Sequence, residues 1–298
     1  MAVRDLSLAD RDAAPRSPAL LRVLADQFRG RPFFVVGALV TLAFLFAAVF
    51  APWVAPYAPD FQDSDHLMSP PSALHWCGTD SFGQDLLSRV IYGTRYAFLI
   101  GFSSVAIGAT AGLAIGLAAG LLQGPVEWGL MRFVDAILAL PSLIMAITFI
   151  SILGQGVDKV IYAVGFAMIG PFARTVRADV LQVRAQAFVE AAGLMGVDRL
   201  RIVWRHILPN VIFPLAVQAT IRISEAILVS SGLSFLGLGV VPPTPDWGLM
   251  ISEGRAFISI VPWISGVPGA ALALLLIALS IVGDGIRERF DPKMRTNR

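Results

Sequence analysis

The chain has 298 residues, 56% of them hydrophobic and only 15% charged, against roughly one quarter charged in an ordinary soluble domain. That balance excludes water as the main solvent of the fold, while the net charge of +2 says little until the charges are placed. One cysteine, Cys77, excludes an internal disulfide, and the two lysines, Lys159 and Lys293, follow no glycine-rich loop, which excludes a phosphate-binding P-loop in this chain.

In chain order, charged blocks and Gly/Pro clusters leave apolar stretches near 33–55, 96–121, 128–152, 157–178, 210–238 and 263–285. Each is long enough to cross a hydrocarbon layer, which needs about 20 residues. The first is too long for a signal-peptide core and follows a polar tail, so it reads as a transmembrane helix. Six spans put eighteen basic residues on the side that holds both termini and four on the other, with Arg222 left inside a span. Both termini are therefore expected to be cytoplasmic. Five or seven spans remain open, because Pro141 in the third stretch and Gly170-Pro171 in the fourth could interrupt a helix.

The extracytoplasmic loop at 57–94 is long and acidic, with Asp60, Asp63, Asp65, Asp80 and Asp85. The second such loop, at 240–263, carries Pro242-Pro243-Thr244-Pro245 and is expected to form a stiff, partly extended cap over the outer mouth. Within the second span, Gly108, Gly112, Gly116 and Gly120 recur once per helical turn, a small-residue ridge that lets two helix backbones approach. In the fifth, Arg222 and Glu225 stand three residues apart, about 18 Å along the helix from Asn210 and so near mid-membrane. They read either as a pathway lining or subunit interface, or as a static intrahelical pair.

The most informative segment lies between the fourth and fifth spans. Phe188, Ala191, Ala192 and Met195 have the spacing of one helical face made of small and soft side chains, with Glu190 and Gly193 beside it. Gly196 stops that helix, and Asp198 caps a second whose stripe is Leu200, Val203, Trp204, Ile207 and Leu208, limited by Pro209. A helix-turn-helix outside the membrane with a surface of small residues is suited to docking another protein. His66 and His75 fall outside and His206 inside, so the three histidines make no common metal or catalytic constellation. Gly232-Leu233-Ser234-Phe235-Leu236 lacks the second glycine of a nucleophile elbow. No catalytic residue, metal ligand or cofactor site is assigned.

Glu190-Ala191-Ala192, Gly196 and Leu208-Pro209 resemble the EAA loop of ATP-binding cassette (ABC) importer permeases, and His206-Ile207-Leu208-Pro209-Asn210 resembles the version found in the dipeptide, oligopeptide and nickel branch. Gly78-Thr79-Asp80, Gly83-Gln84-Asp85, Ser88-Arg89, Tyr92-Gly93-Thr94-Arg95, Ser234-Phe235-Leu236-Gly237-Leu238-Gly239, Pro242-Pro243-Thr244-Pro245-Asp246-Trp247-Gly248 and Asp291-Pro292 are similar to the C-type subunit of that branch, with Gln84 where arginine is usual.

The resemblance implies an all-α, type I importer permease of about six spans in a bacterial inner membrane. It would pair with a homologous second permease, two cytoplasmic ATPases that carry ATP and Mg, and an extracytoplasmic solute-binding protein, and would involve no nucleic acid. Its implied ATPase-docking residues are Glu190, Ala191, Ala192, Gly193, Gly196, Asp198 and Pro209. The expected organisation is a cytoplasmic tail at 1–32, a first span at 33–56, an outer loop at 57–94, a five-helix core at 95–286 with its coupling loop at 183–210, and a cytoplasmic tail at 287–298. Short peptides are the expected cargo, with nickel or another small solute as the alternative. A self-sufficient secondary transporter is the reading from another class, and it lacks visible inverted repeats.

Overall fold

The computed structural model describes residues 32–290. Most of the expected N-terminal tail, and the 291–298 end with Asp291-Pro292, lie outside the described residues. Among the described residues every regular element is helical, apart from one isolated antiparallel bridge between Thr79 and Asp85. In chain order these are α1 (Pro32–Val54), α2 (Leu86–Leu122), α3 (Gly124–Leu138), α4 (Ser142–Leu153), α5 (Val157–Arg184), α6 (Ala187–Leu194), α7 (Arg199–Ile202), a π-helical turn (Val203–Ile207), α8 (Leu208–Phe235), α9 (Trp247–Gly254), a 3₁₀ turn (Arg255–Phe257) and α10 (Trp263–Phe290).

Among the described residues, five helical rods are long and apolar enough to cross a membrane, and the bent pair α3–α4 makes a sixth if counted as one span. The expected single helix at 128–152 is therefore corrected to two helices meeting at 92°. Pro141 stands at the break as the N-cap of α4. It offers no N–H to a preceding turn, and it pushes Leu140 away from helical geometry. Pro171 does not break α5. Its neighbours Met168, Ile169, Phe172 and Ala173 are all buried, and that packing outweighs the roughly 3 kcal/mol that an interior proline costs.

α2 and α5 form the most extensive helix pair, and the core runs along their seam. A Cβ added at Gly108, Gly112 or Gly116 would lie 2.5–2.6 Å from Cβ of Met168, Phe172 or Val176, and one at Gly120 would lie 2.6 Å from Cγ1 of Val180. All four glycines lie against α5. The register steps by four residues on both helices, and numbers rise together, so α2 and α5 run parallel. Ser104 Oγ donates to Ile161 O at the other end of the seam. Two parallel neighbours require the chain between them to travel back the full length of the seam. The α3–α4 pair lies between them in the chain, and counted as one span it gives six among the described residues.

α1 packs on α2 and α10 but leaves Phe33, Val36, Leu39, Leu42, Phe46 and Val49 exposed, an apolar flank of the kind that faces lipid. α2 begins ten residues earlier than the hydropathy pattern indicates, because Asp85 caps it, accepting from Ser88 N at 2.8 Å. The expected outer loop therefore ends near residue 85. At 240–263 the expected extended cap is corrected as well. Asp246 accepts from Leu249 N at 3.0 Å and starts α9, so the second part of that segment is helical while the Pro-rich start at 240–246 is not.

Candidate functional site

The hairpin between α5 and α8 is built as its capping residues dictate. Gly196 has φ +75°, a left-handed conformation that glycine adopts at low cost. There, Gly196 N donates to Gly193 O and Val197 N to Ala192 O, the paired bonds of a Schellman cap. Asp198 Oδ2 then accepts from Leu200 N at 3.1 Å and opens α7. Pro209 does not end the second helix, contrary to expectation. It lies in the first turn of α8, where a missing N–H is tolerated, and the helical path continues from Arg199 to Phe235.

The buried faces also differ from the expected stripes. Val189 and Ala192 point inward from α6, and Ile202 and Ile207 from the second arm, while Phe188, Ala191, Leu194 and Met195 are exposed. Leu200 and Trp204, expected within one apolar stripe, are 69% and 68% exposed. The π turn is the reason. Leu208 N donates to Val203 O, five residues back, and this wider turn places Ile202 and Ile207 on one face.

The hairpin thus leaves Leu194, Met195, Leu200 and Trp204 exposed, as well as Glu190, which has no ion-pair partner among the described residues. Gly193 is exposed as well, and a Cβ added there would meet nothing among the described residues within 4 Å. Phe188 packs its ring 5.9 Å from His206, joining the two arms.

Behind this hairpin, Arg184 Nη1 donates to the Gly120 and Leu121 carbonyls and so closes the C-terminal end of α2. Arg177 pairs with Glu127, and Arg174 Nη2 donates to Asp135 at 2.7 Å, tying α3 to α5. Arg222 and Glu225 do form an ion pair in α8, both partly exposed. Their neighbours Ile223, Ala226 and Ile227 are buried, so the pair sits at the edge of this chain's packed face.

At the other end of the molecule a second polar network forms around the start of α2. Arg89, 2% exposed, donates through Nη1 to Asp80 and Gln84 and lies 3.7 Å from Glu253 of α9. Asp80 Oδ1 also accepts from Phe82 N and Gln84 N, each at 2.9 Å. Trp247 Nε1 donates to Val90 O at 3.0 Å, and its ring fills the space that a side chain at Gly93 would need. Burial pushes the carboxyls of Asp246 and Glu253 above their ordinary range. Hydrogen bonds to Asp246, and the guanidinium of Arg89 beside Glu253, act against that rise.

The same region holds a cluster that sequence reasoning missed. His66 and His75 approach to 5.8 Å between ring centroids and share the Asp63 carboxylate, although no constellation was expected of them. Asp63 and His66 are three residues apart, a local hint, but the loop closure that brings in His75 has no sequence signature.

Fold and site together define a class: an all-helical, multi-pass membrane subunit with a protruding helical hairpin. Residues 112–296 match the family described as binding-protein-dependent transport system inner membrane component, and residues 20–71 match the N-terminal transmembrane domain of oligopeptide transport permease C. A di/tripeptide transport system permease protein, DppC, of Pseudomonas aeruginosa is 40% identical over 284 residues, covering 93% of this chain and 94% of that one. A glutathione transport system permease protein, GsiD, of Escherichia coli is 39% identical over 270 residues, covering 90% and 89%. Among solved structures, the fold is similar to an inward-facing MetNI methionine ABC transporter chain, with TM-score 0.56 and 19% identity over 68% of this chain and 97% of that one.

The chain belongs to the binding-protein-dependent transport system inner membrane components. It is the multi-pass permease subunit of an ABC importer and not itself an enzyme, since ATP hydrolysis lies on other subunits.

Proposed function

We propose that this permease carries short peptides, and that the hairpin surface around Glu190 is where it meets an ABC ATPase. One observation carries the docking reading. Gly193 costs a helix about 0.5–1 kcal/mol relative to alanine, yet nothing among the described residues occupies the space beside it. With Leu194, Met195, Leu200 and Trp204 exposed as well, the hairpin fits a partner that approaches the α6 backbone closely. Glu190 supplies a charge for a partner cation. Gly196, Asp198 and Pro209 shape the hairpin, and Ala191 and Ala192 keep its first arm slim.

In this reading the basic side and both tails, 1–32 and 287–298, are cytoplasmic, the loop at 57–94 faces outward, and 183–210 is the coupling loop of the core at 95–286. A second permease completes the pathway, two ATPases supply ATP and Mg, and a solute-binding protein delivers cargo. The peptide assignment is supported by relatives named for di/tripeptide and glutathione transport. Uptake of labelled dipeptides by reconstituted assemblies tests it, with nickel as the competing cargo.

Glu190→Lys is expected to lower ATP-driven uptake at least tenfold while leaving membrane insertion unchanged, and Leu194→Asp is expected to release the ATPase during purification. Wild-type uptake by both variants overturns the docking surface. Arg222 and Glu225 are assigned here to the pathway or the subunit interface. Exchanging both for Met and Leu removes a static pair at little cost. The double variant is thus expected to insert normally but to transport at least tenfold more slowly; full uptake marks the pair as static.

A further inference from the structure

The acidic loop ahead of α2 contains a polar arrangement that the transport reading does not use. His75 is 1% exposed, and its ring lies 5.1 Å from that of Tyr57. Its Nδ1 is 3.0 Å from Asp85 Oδ1, while Asp85 Oδ2 accepts from Ser88 N and, at 2.7 Å, from Ser88 Oγ. As the N-cap of α2, Asp85 accepts, so Nδ1 of His75 carries a hydrogen and Nε2 lies on the opposite edge of the ring.

Nε2 lies 3.5 Å from Asp63 Oδ2. The same oxygen is 2.9 Å from His66 Nδ1, and Asp63 Oδ1 is held by Asp65 N at 3.1 Å. One donor atom from each of Asp63, His66 and His75 lies within 4.8 Å of the others. A tetrahedral Zn²⁺ with ligands at about 2.0–2.1 Å sets its donor atoms about 3.3 Å apart. The 3.5 Å separation of His75 from Asp63 is close to that tetrahedral edge, whereas the 2.9 Å separation of His66 from Asp63 is that of a hydrogen bond and lengthens by a few tenths of an ångström on metal binding. Two imidazoles and one carboxylate suit a borderline transition metal, and a ligand histidine oriented by a carboxylate on its other nitrogen is a recurring outer-shell device.

We propose that Asp63, His66 and His75 bind one divalent transition metal, of which Zn²⁺ fits best, with Asp85 orienting His75 from behind. Water takes the fourth position. The ion clasps the segment at 63–66 and His75 to the N-terminal end of α2, through Asp85, and so sets the shape of the loop.

The test uses the full chain in its purified assembly, without a polyhistidine tag, treated with a chelator and then dialysed against Zn²⁺ or Co²⁺. Wild type is expected to retain one zinc per permease chain and to give the intense visible bands of tetrahedral Co²⁺. His66→Ala, at a half-exposed position, and Asp63→Ala are expected to weaken binding at least 100-fold, whereas His206→Ala leaves it unchanged. Zn²⁺ is further expected to protect the loop from proteolysis in wild type and not in His66→Ala, a readout that survives if buried His75 variants fail to fold. Wild-type protein without bound metal, or the same zinc content in His66→Ala and Asp63→Ala, overturns the proposal and leaves a hydrogen-bonded cluster only.

Discussion

Gly112→Val is expected to reduce the amount of folded, membrane-inserted permease at least tenfold, measured as monodisperse protein recovered in mild detergent. A Cβ at this position would lie 2.5 Å from Phe172 Cβ, 2.9 Å from Ala173 N and 3.1 Å from Ile169 O. Two of those neighbours are backbone atoms, and the third is the first carbon of its side chain, so no rotamer change relieves the clash. Even Gly112→Ala overpacks the seam, at about 1–3 kcal/mol. Valine adds two methyls, and the displacement spreads along the parallel α2–α5 pair because Gly108, Gly116 and Gly120 hold the same spacing. In lipid this pairing depends on close packing, since apolar surface gains little by leaving a hydrocarbon solvent. Gly129 in α3 is the control. An added Cβ there meets nothing within 4 Å, and Gly129→Ala is expected to be neutral or to stabilise by up to about 1 kcal/mol. Equal recovery of Gly112→Val and wild type would show that the seam is not close-packed in the membrane.

The glycine seam also shows what a sequence makes legible. A four-residue repeat of small side chains announces close approach but not the partner. That the partner is α5, and that it runs parallel, required the register of Met168, Phe172, Val176 and Val180. The long apolar spans were legible because lipid imposes one length and one polarity on every crossing. The break at Pro141 was open for a reason of the same kind. Pro141 and Pro171 both carry the local chemistry of a helix breaker, and burial in the α5 core overrides it at one and not at the other.

In the hairpin, Gly196 and Asp198 were readable because caps are local. The exposed Leu200 and Trp204 were not, because a π turn shifts which residues share a face. The metal-like cluster was least legible of all, since its geometry depends on how the loop from Asp63 onward closes onto Asp85.

Arg89→Met, our second large expected effect, acts through an uncompensated charge. Arg89 is the cation of a buried group in which Asp80 is 3% exposed and Gln84 5% exposed. Removing one partner of a buried pair costs about 3–5 kcal/mol, because the remaining charge stays desolvated. Asp80 cannot swing out to water, since Phe82 N and Gln84 N hold its Oδ1. Glu253 loses the nearby charge that favours its ionised form, so its carboxyl, already raised by burial, rises further. The neighbouring joint then loosens, because α9 reaches α2 through both Glu253 and Trp247.

The expected readout is a fall in the thermal unfolding midpoint of the detergent-solubilised chain. Arg89→Lys should be intermediate, since an ammonium keeps the charge but cannot serve Asp80 and Gln84 with the same planar fork. The double variant Arg89→Met with Asp80→Asn separates charge from packing. Removing the second charge is expected to recover most of the lost stability, because an amide at residue 80 still accepts through its oxygen from Phe82 N and Gln84 N. A double variant no more stable than Arg89→Met would instead assign the loss to the packing of the guanidinium stem, and would remove the buried charge pair as the reason this loop holds the head of α2.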